Sequence, residues 1–244
     1  MVKLITFGTS EYTISAMKCA ASGLKFGCDH ATTYNELDIS DEFKLINKEI
    51  FDQPRGYGYW LWKPYFIYKT MLGLMECDVL VYSDAGIEFV GNVHNVINRM
   101  DQDIYFFSNG WTHVHWCKGD CYYAINQGRY VLAQNGFDTG YNQLKQVQAS
   151  NIFIRVNDNT RAFVKEWLLY SQMPGLIDDS PSKLPNHPEF QEHRHDQAIL
   201  CCLQIKHNYR LHWFPSTTGL HLERPDNEVY APIFLHHRKR NSEW

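Results

Sequence analysis

The chain lacks the roughly 18 consecutive apolar residues that a membrane helix needs, so no transmembrane segment is expected among its 244 residues. Its opening, MVKLITFGTS, has neither the long apolar core nor the small-residue cleavage site of a signal peptide. Basic charge is not in excess. The 23 Lys and Arg stand against 27 Asp and Glu, a net charge of −4 that argues against a broad nucleic-acid footprint. Low-complexity tracts and heptad repeats are absent too. Seven cysteines make an odd count, and the adjacent Cys201 and Cys202 suit no disulfide framework, so reduced thiols and a cytoplasmic setting are expected. Cys117 and Cys121 in CKGDC have no second cysteine pair at zinc spacing and read as plain thiols.

Aromatic residues are abundant, with 15 Tyr, 14 Phe and 7 Trp, enough to fill a core and leave some to line a pocket. The N-terminal half alternates strand and helix signals. KLITFG (3–8) is a short apolar run. EYTISAMKCAASG follows as a helix with Ile14, Met17 and Ala21 inward and Gly23 as its stop. DEFKLINKEI (41–50) repeats the helical spacing through Phe43, Ile46 and Ile50. In KPYFIYKTMLGLME, Pro64 suits a first helical turn, and Ile67, Met71 and Leu74 form a stripe. CDVLVYSDAG and DIYFF (103–107) read as buried strands, as does ASNIFIRV (149–156). NTRAFVKEWLLYS (159–171) is an amphipathic helix capped by Asn159. Four prolines between 174 and 190 mark a loop before the helix HDQAILCCLQIK (195–206), and the tail is loop and short strand. Strands alternating with helices predict an α/β domain with a mostly parallel sheet and no internal boundary.

Four segments combine chemistry-bearing residues. LVYSDAG ends a buried strand on Asp84. That residue serves either as a turn former or as a carboxylate at the ligand edge of a parallel sheet, suited to Mg²⁺ or Mn²⁺. RGYGYWLWKPYFIYKT (55–70) joins Arg55 and Lys63 to glycines and aromatics. It suits either a packed loop or a surface that stacks on rings and neutralises phosphate. EFQEHRHDQAI crowds His193, Arg194, His195 and Asp196 before a helix. FLHHRKR (234–240) is either a solvated basic tail or a set of groups that closes over a diphosphate. A further pair, His113 and His115 in WTHVHW, would put both rings on one strand face, a geometry able to hold a metal.

Taken in order, the first strand, RGYGYWLWKP, YSDAG, RHDQ and HHR resemble small nucleotide-sugar glycosyltransferases of the GT-A fold, over roughly residues 3–240. The resemblance implies a single α/β domain across 1–244. Residues up to about 110 would be its nucleotide-binding part, and the remainder would face the acceptor. It implies transfer of a sugar from a nucleoside-diphosphate donor to a glycan or other hydroxyl acceptor, assisted by Mn²⁺ or Mg²⁺. Asp84-Ala85-Gly86 takes the place of the metal-binding DxD motif and lacks its second carboxylate. Either the ion would fall to Asp84 with His236 or His237, with Glu88 as a substitute for the second acid, or Asp84 would contact the ribose or sugar and the metal would be dispensable. Thr6 to Gly8 would border the nucleotide, Arg55 and Lys63 would face phosphate or sugar, and Gly86 would let the donor approach. Arg238, Lys239 or Arg240 would stabilise the leaving diphosphate. Asp196, beside Gln197, would take the acceptor proton if transfer inverts configuration, or orient and stabilise an oxocarbenium-like sugar if it retains it.

Two other classes compete. One is a GT-A relative that binds nucleotide sugars without turnover, consistent with the missing acid. The other is a metal-dependent hydrolase or oxygenase ligated through His113 and His115, although the α/β alternation argues against an all-β cupin barrel.

Overall fold

The computed structural model of the protein describes residues 1–126, 144–216, 232–237 and 239–244. Strands in these residues run as β1 (Val2–Phe7), β2 (His30–Tyr34), β3 (Val79–Ser83), β4 (Ile87–Phe89), β5 (Ile104–Thr112), β6 (Lys145–Arg155), β7 (Leu211–Trp213) and β8 (Phe234–His236). Helical segments are α1 (Thr13–Lys25), α2 (Asp41–Ile46), α3 (Lys48–Phe51), α4 (Gly56–Tyr59), α5 (Trp62–Met71), α6 (His94–Ile97), α7 (Gly119–Asn126), α8 (Asp158–Ser171) and α9 (His195–Lys206). The main sheet has the order β2-β1-β3-β6-β5-β7, and β4 and β8 form a separate antiparallel pair. Only β6 opposes the other strands of the main sheet, so the expected mostly parallel sheet is present.

Alternation along β3 divides the core. Leu80 and Tyr82 face one apolar cluster, with α5, α8 and α9, while Val79 and Val81 face the other. Both faces are covered, which is why the strand reads as an unbroken hydrophobic run. The same parity carries past the strand end and aims Asp84 toward the side of Tyr82. The register Ile5 with Tyr82 brings the end of β1, Gly8 included, to the same edge of the sheet.

Several local expectations change. Helix α1 turns its small side inward, burying Ser15, Ala16, Cys19 and Gly23, while Ile14 and Met17 are exposed. The helix lies so close to β1 that a Cβ on Gly23 would sit 2.2 Å from the Leu4 side chain, so Gly23 is a packing contact inside the helix and not its stop. The 41–50 segment is two short helices. Buried Asn47 interrupts it by donating its amide to the Phe43 carbonyl at 2.9 Å, which leaves Ile46 exposed. Helix α8 is capped by Asn157, which accepts from Thr160 N–H at 2.9 Å, two residues before the expected cap. His113 and His115 lie on a short 3-10 turn, so they do not share a strand face. His113 is buried and His115 pairs with Glu189 at 3.0 Å.

The RGYGYW block has an unusual backbone. Gly56, Tyr57, Gly58, Tyr59 and Trp60 all have positive φ, between 50° and 80°. Bonds from Tyr59 N to Arg55 O (2.8 Å) and from Trp60 N to Gly56 O (3.2 Å) close it as a turn of left-handed helix. Left-handed backbone costs an L-residue about 1–2 kcal/mol. Packing therefore has to hold Tyr57, Tyr59 and Trp60 there, and Trp62 contributes by donating its indole N–H to Gly56 O at 2.9 Å.

Candidate functional site

Helix α5 begins directly after this left-handed turn, and its second residue, Lys63, points into the protein beneath the end of β3. Its ammonium stands 3.1 Å from Asp196 Oδ2 and 3.4 Å from Asp84 Oδ1. A third partner is the Ala149 carbonyl, 3.3 Å away. Tyr82, two residues before Asp84 on the same strand face, donates its hydroxyl to Asp84 Oδ1. Gln197 accepts the Ala149 N–H at 3.2 Å, and Trp167 donates to the Asp196 carbonyl at 3.0 Å, so α9 and β6 are tied around the lysine. One cation thus holds two carboxylates brought together from residues 84 and 196.

The two acids differ in access. The Asp84 side chain is 37% exposed and that of Asp196 only 5%. Burial pushes the Asp196 carboxyl up to about 6, with Lys63 opposing the shift and Asp84 adding to it. Burial on its own would weaken the Lys63 ammonium, but the Asp196 and Asp84 carboxylates outweigh it and hold its pKa above the ordinary lysine value. Burial, reinforced by Asp84, keeps the Tyr82 phenol well above its usual pKa, so it remains a donor. The outcome is a charged, desolvated constellation with one face open at Asp84.

The other residues singled out in the sequence fall around this edge in different ways. Thr6 is buried within β1, and Gly8 donates its N–H to the Tyr34 carbonyl at 3.0 Å at the strand's end. Arg55 is engaged with Asp179 at 3.2 Å and with Glu192. Gly86 accepts the His237 N–H at 2.9 Å, and His236 sits in β8 opposite Ile87, so the late histidines do lie beside the DAG turn. The His237 ring faces Glu88, 3.8 Å away. Arg238 lies outside the described residues. The tail is docked rather than loose. Ser15 donates to the Lys239 carbonyl at 2.5 Å, and Trp244 donates to Ser15 Oγ at 2.8 Å.

Sequence reasoning passed over Tyr82, Ala149 and Trp167. For Tyr82 a signal was available, since i and i+2 on a strand share a face. For Ala149 and Trp167 there was none, because their roles come from a main-chain carbonyl and from the packing of α8 on α9 across the loop between them.

No protein-family profile matches the chain, and no curated protein matches it by sequence. Among solved structures it is similar in fold to the apo form of WbbM, a bifunctional glycosyltransferase, with 9% identity and a TM-score of 0.54 over 98% of this chain. The aligned part is 46% of WbbM, so the chain spans about half that protein's length. The apo form of mouse xyloside xylosyltransferase 1 aligns over 98% of both chains with 8% identity and a TM-score of 0.46. The fold is therefore a GT-A-like α/β domain, its mostly parallel sheet flanked by helices. No helix among the described residues is long and apolar enough to cross a membrane.

A divalent ion at Asp84 would need converging donors. Among the described residues, Asp84, His236 and His237 form no group whose donor atoms all lie within 4.8 Å of one another. The group that does is His113, Cys117 and Cys202. Asp84 Oδ1 is already taken up by Tyr82 and faces the Lys63 ammonium. The described side chains around Asp84 thus do not by themselves bring three ligand atoms together for an ion.

Proposed function

We propose that the chain is a glycosyltransferase that moves a sugar from a nucleoside-diphosphate donor to a hydroxyl acceptor at the β3 edge. The observation that carries this reading is the Lys63 ammonium held between Asp84 and Asp196, with Asp84 open to solvent. The GT-A-like fold supports it, because ligands of open α/β sheets bind beyond the carboxyl ends of the strands. In this reading Asp84 is the catalytic carboxylate, meeting the donor or the acceptor hydroxyl. A general base needs hydrogen-bond reach of its proton. Asp196 is walled in behind Lys63, so we give it the task of positioning Asp84 through the lysine.

Departure of the diphosphate builds negative charge. We assign its neutralisation to the basic residues that follow His237, whose own N–H is bonded to the Gly86 carbonyl.

The test is thermal stability against a panel of nucleoside diphosphates, each with and without Mn²⁺, followed by donor turnover. A bound nucleotide at 100 times its Kd adds about 2.7 kcal/mol and raises Tm without requiring the ion. Asp84→Asn should stay folded and lose turnover by about 100-fold or more, the scale of removing one preorganised polar group. If no nucleotide raises Tm under either condition, or if Asp84→Asn turns over at the wild-type rate, the reading fails. Binding without turnover of any donor would leave a nucleotide-sugar-binding protein instead.

A further inference from the structure

A second cluster of reactive side chains lies in the core beneath α9, away from the Asp84 edge. His113, on the turn after β5, Cys117, just before α7, and Cys202, in the middle of α9, are each 0% exposed. Their donor atoms all lie within 4.8 Å of one another. Cys117 Sγ is 3.7 Å from Cys202 Sγ, which in turn is 3.7 Å from His113 Nε2. Cys121, four residues beyond Cys117, is also fully buried, with its sulfur turned to the Leu176 carbonyl and outside that three-residue group.

These spacings are informative. A tetrahedral zinc ion holds sulfur at about 2.3 Å and imidazole nitrogen at about 2.0–2.1 Å, which places two sulfurs about 3.8 Å apart and a sulfur and nitrogen about 3.6 Å apart. The observed pairs match that edge length. A disulfide requires sulfurs about 2.05 Å apart, far closer than these. The imidazole is turned toward the sulfurs as a ligand would be: His113 Nε2 is the ring nitrogen that faces Cys202 Sγ, and a neutral imidazole offers a metal its unprotonated nitrogen.

We propose that His113, Cys117, Cys202 and Cys121 form a structural site for a soft divalent ion of the zinc class, joining α7 to α9. Cys121 completes the set by turning its sulfur from the Leu176 carbonyl, which it now meets at 3.3 Å. Each thiol that ligates releases its proton to solvent. With all four positions filled by protein and none open to water, the ion staples the fold and does no chemistry. CKGDC has no second cysteine pair at zinc spacing. Here one histidine and one distant cysteine take that place.

The site is tested by metal analysis of untagged protein purified under reducing conditions without chelators, and by replacing the metal with Co²⁺. About one equivalent of zinc is expected, together with thiolate-to-cobalt charge-transfer bands that disappear in Cys202→Ser and persist in His115→Ala. If Cys202→Ser fails to fold, the metal content and cobalt spectrum of the wild type decide alone. Reduced wild-type protein that retains no zinc and shows no charge-transfer band with added Co²⁺ overturns the proposal. So does zinc that survives Cys202→Ser in a folded chain, or a Cys117–Cys202 disulfide in protein isolated without reductant.

Discussion

Burial works against charge in both clusters packed around α9, and the two differ in what offsets it. At Lys63, Asp84 and Asp196, opposite charges lie within 3.4 Å and stabilise one another, so the lysine stays charged although it is closed in. At His113, Cys117, Cys121 and Cys202, no charged partner is close enough to compensate. Burial pushes the imidazole down to about 3 and the Cys202 thiol up to about 11, and it holds the Cys117 thiol well above its usual range, while Cys121 is raised first by Cys117 and then by burial. The first cluster is ionic without help, whereas the second remains neutral unless a cation arrives. A desolvated group keeps its charge only where the protein supplies the opposite one.

The contrast is broken most directly at Lys63. Lys63→Met leaves two carboxylates facing each other with no cation, and removing one member of a buried ionic set costs about 3–5 kcal/mol. Urea unfolding at neutral pH is expected to show a loss of that size. Wild-type stability in the variant would mean that the carboxylates are not held by the lysine.

A smaller effect is expected in pH dependence. The Asp196 carboxyl is raised in the fold to about 6, from an unfolded value near 3.8. Its contribution to stability is therefore fully present below the unfolded value and declines as pH rises toward 6, after which it is constant. Asp196→Asn removes that decline. The stability of the variant relative to wild type should rise between pH 4 and pH 6 and then level off. A difference that is flat over this window would place the carboxyl at an ordinary pKa.

The smallest effect sharpens the other half of the comparison. Cys77 is the exposed cysteine and the other six are buried, so a thiol reagent on the native protein should label Cys77 first. Cys77→Ser should abolish the fast phase and change stability by no more than about 0.5 kcal/mol. Fast labelling of Cys117 or Cys202 in folded protein would show that the cluster is not closed.

Much of the architecture was legible because periodicity reports burial. β3 read as a strand from its unbroken apolar run, and α9 was recovered with its bounds at 195–206. Helix α1 was legible as a helix, but its inward face was not. Apolar periodicity favoured Ile14 and Met17, whereas close approach to Leu4 selected the small residues on another side. At the candidate site, Asp84, Lys63 and Asp196 were each marked individually by position and residue type. The left-handed turn that sets α5 in place left only two glycines as its trace.

By itself the sequence determined the alternating strands and helices, the strand ending on Asp84 and the helix opening at Asp196, because these follow from local pattern. The tertiary structure alone decided that one buried lysine joins residues 84 and 196, and that His113 meets Cys202 across 89 positions of chain. Local patterns set backbone conformation over a few residues. Which side chains meet across long separations depends on how the packed elements close together.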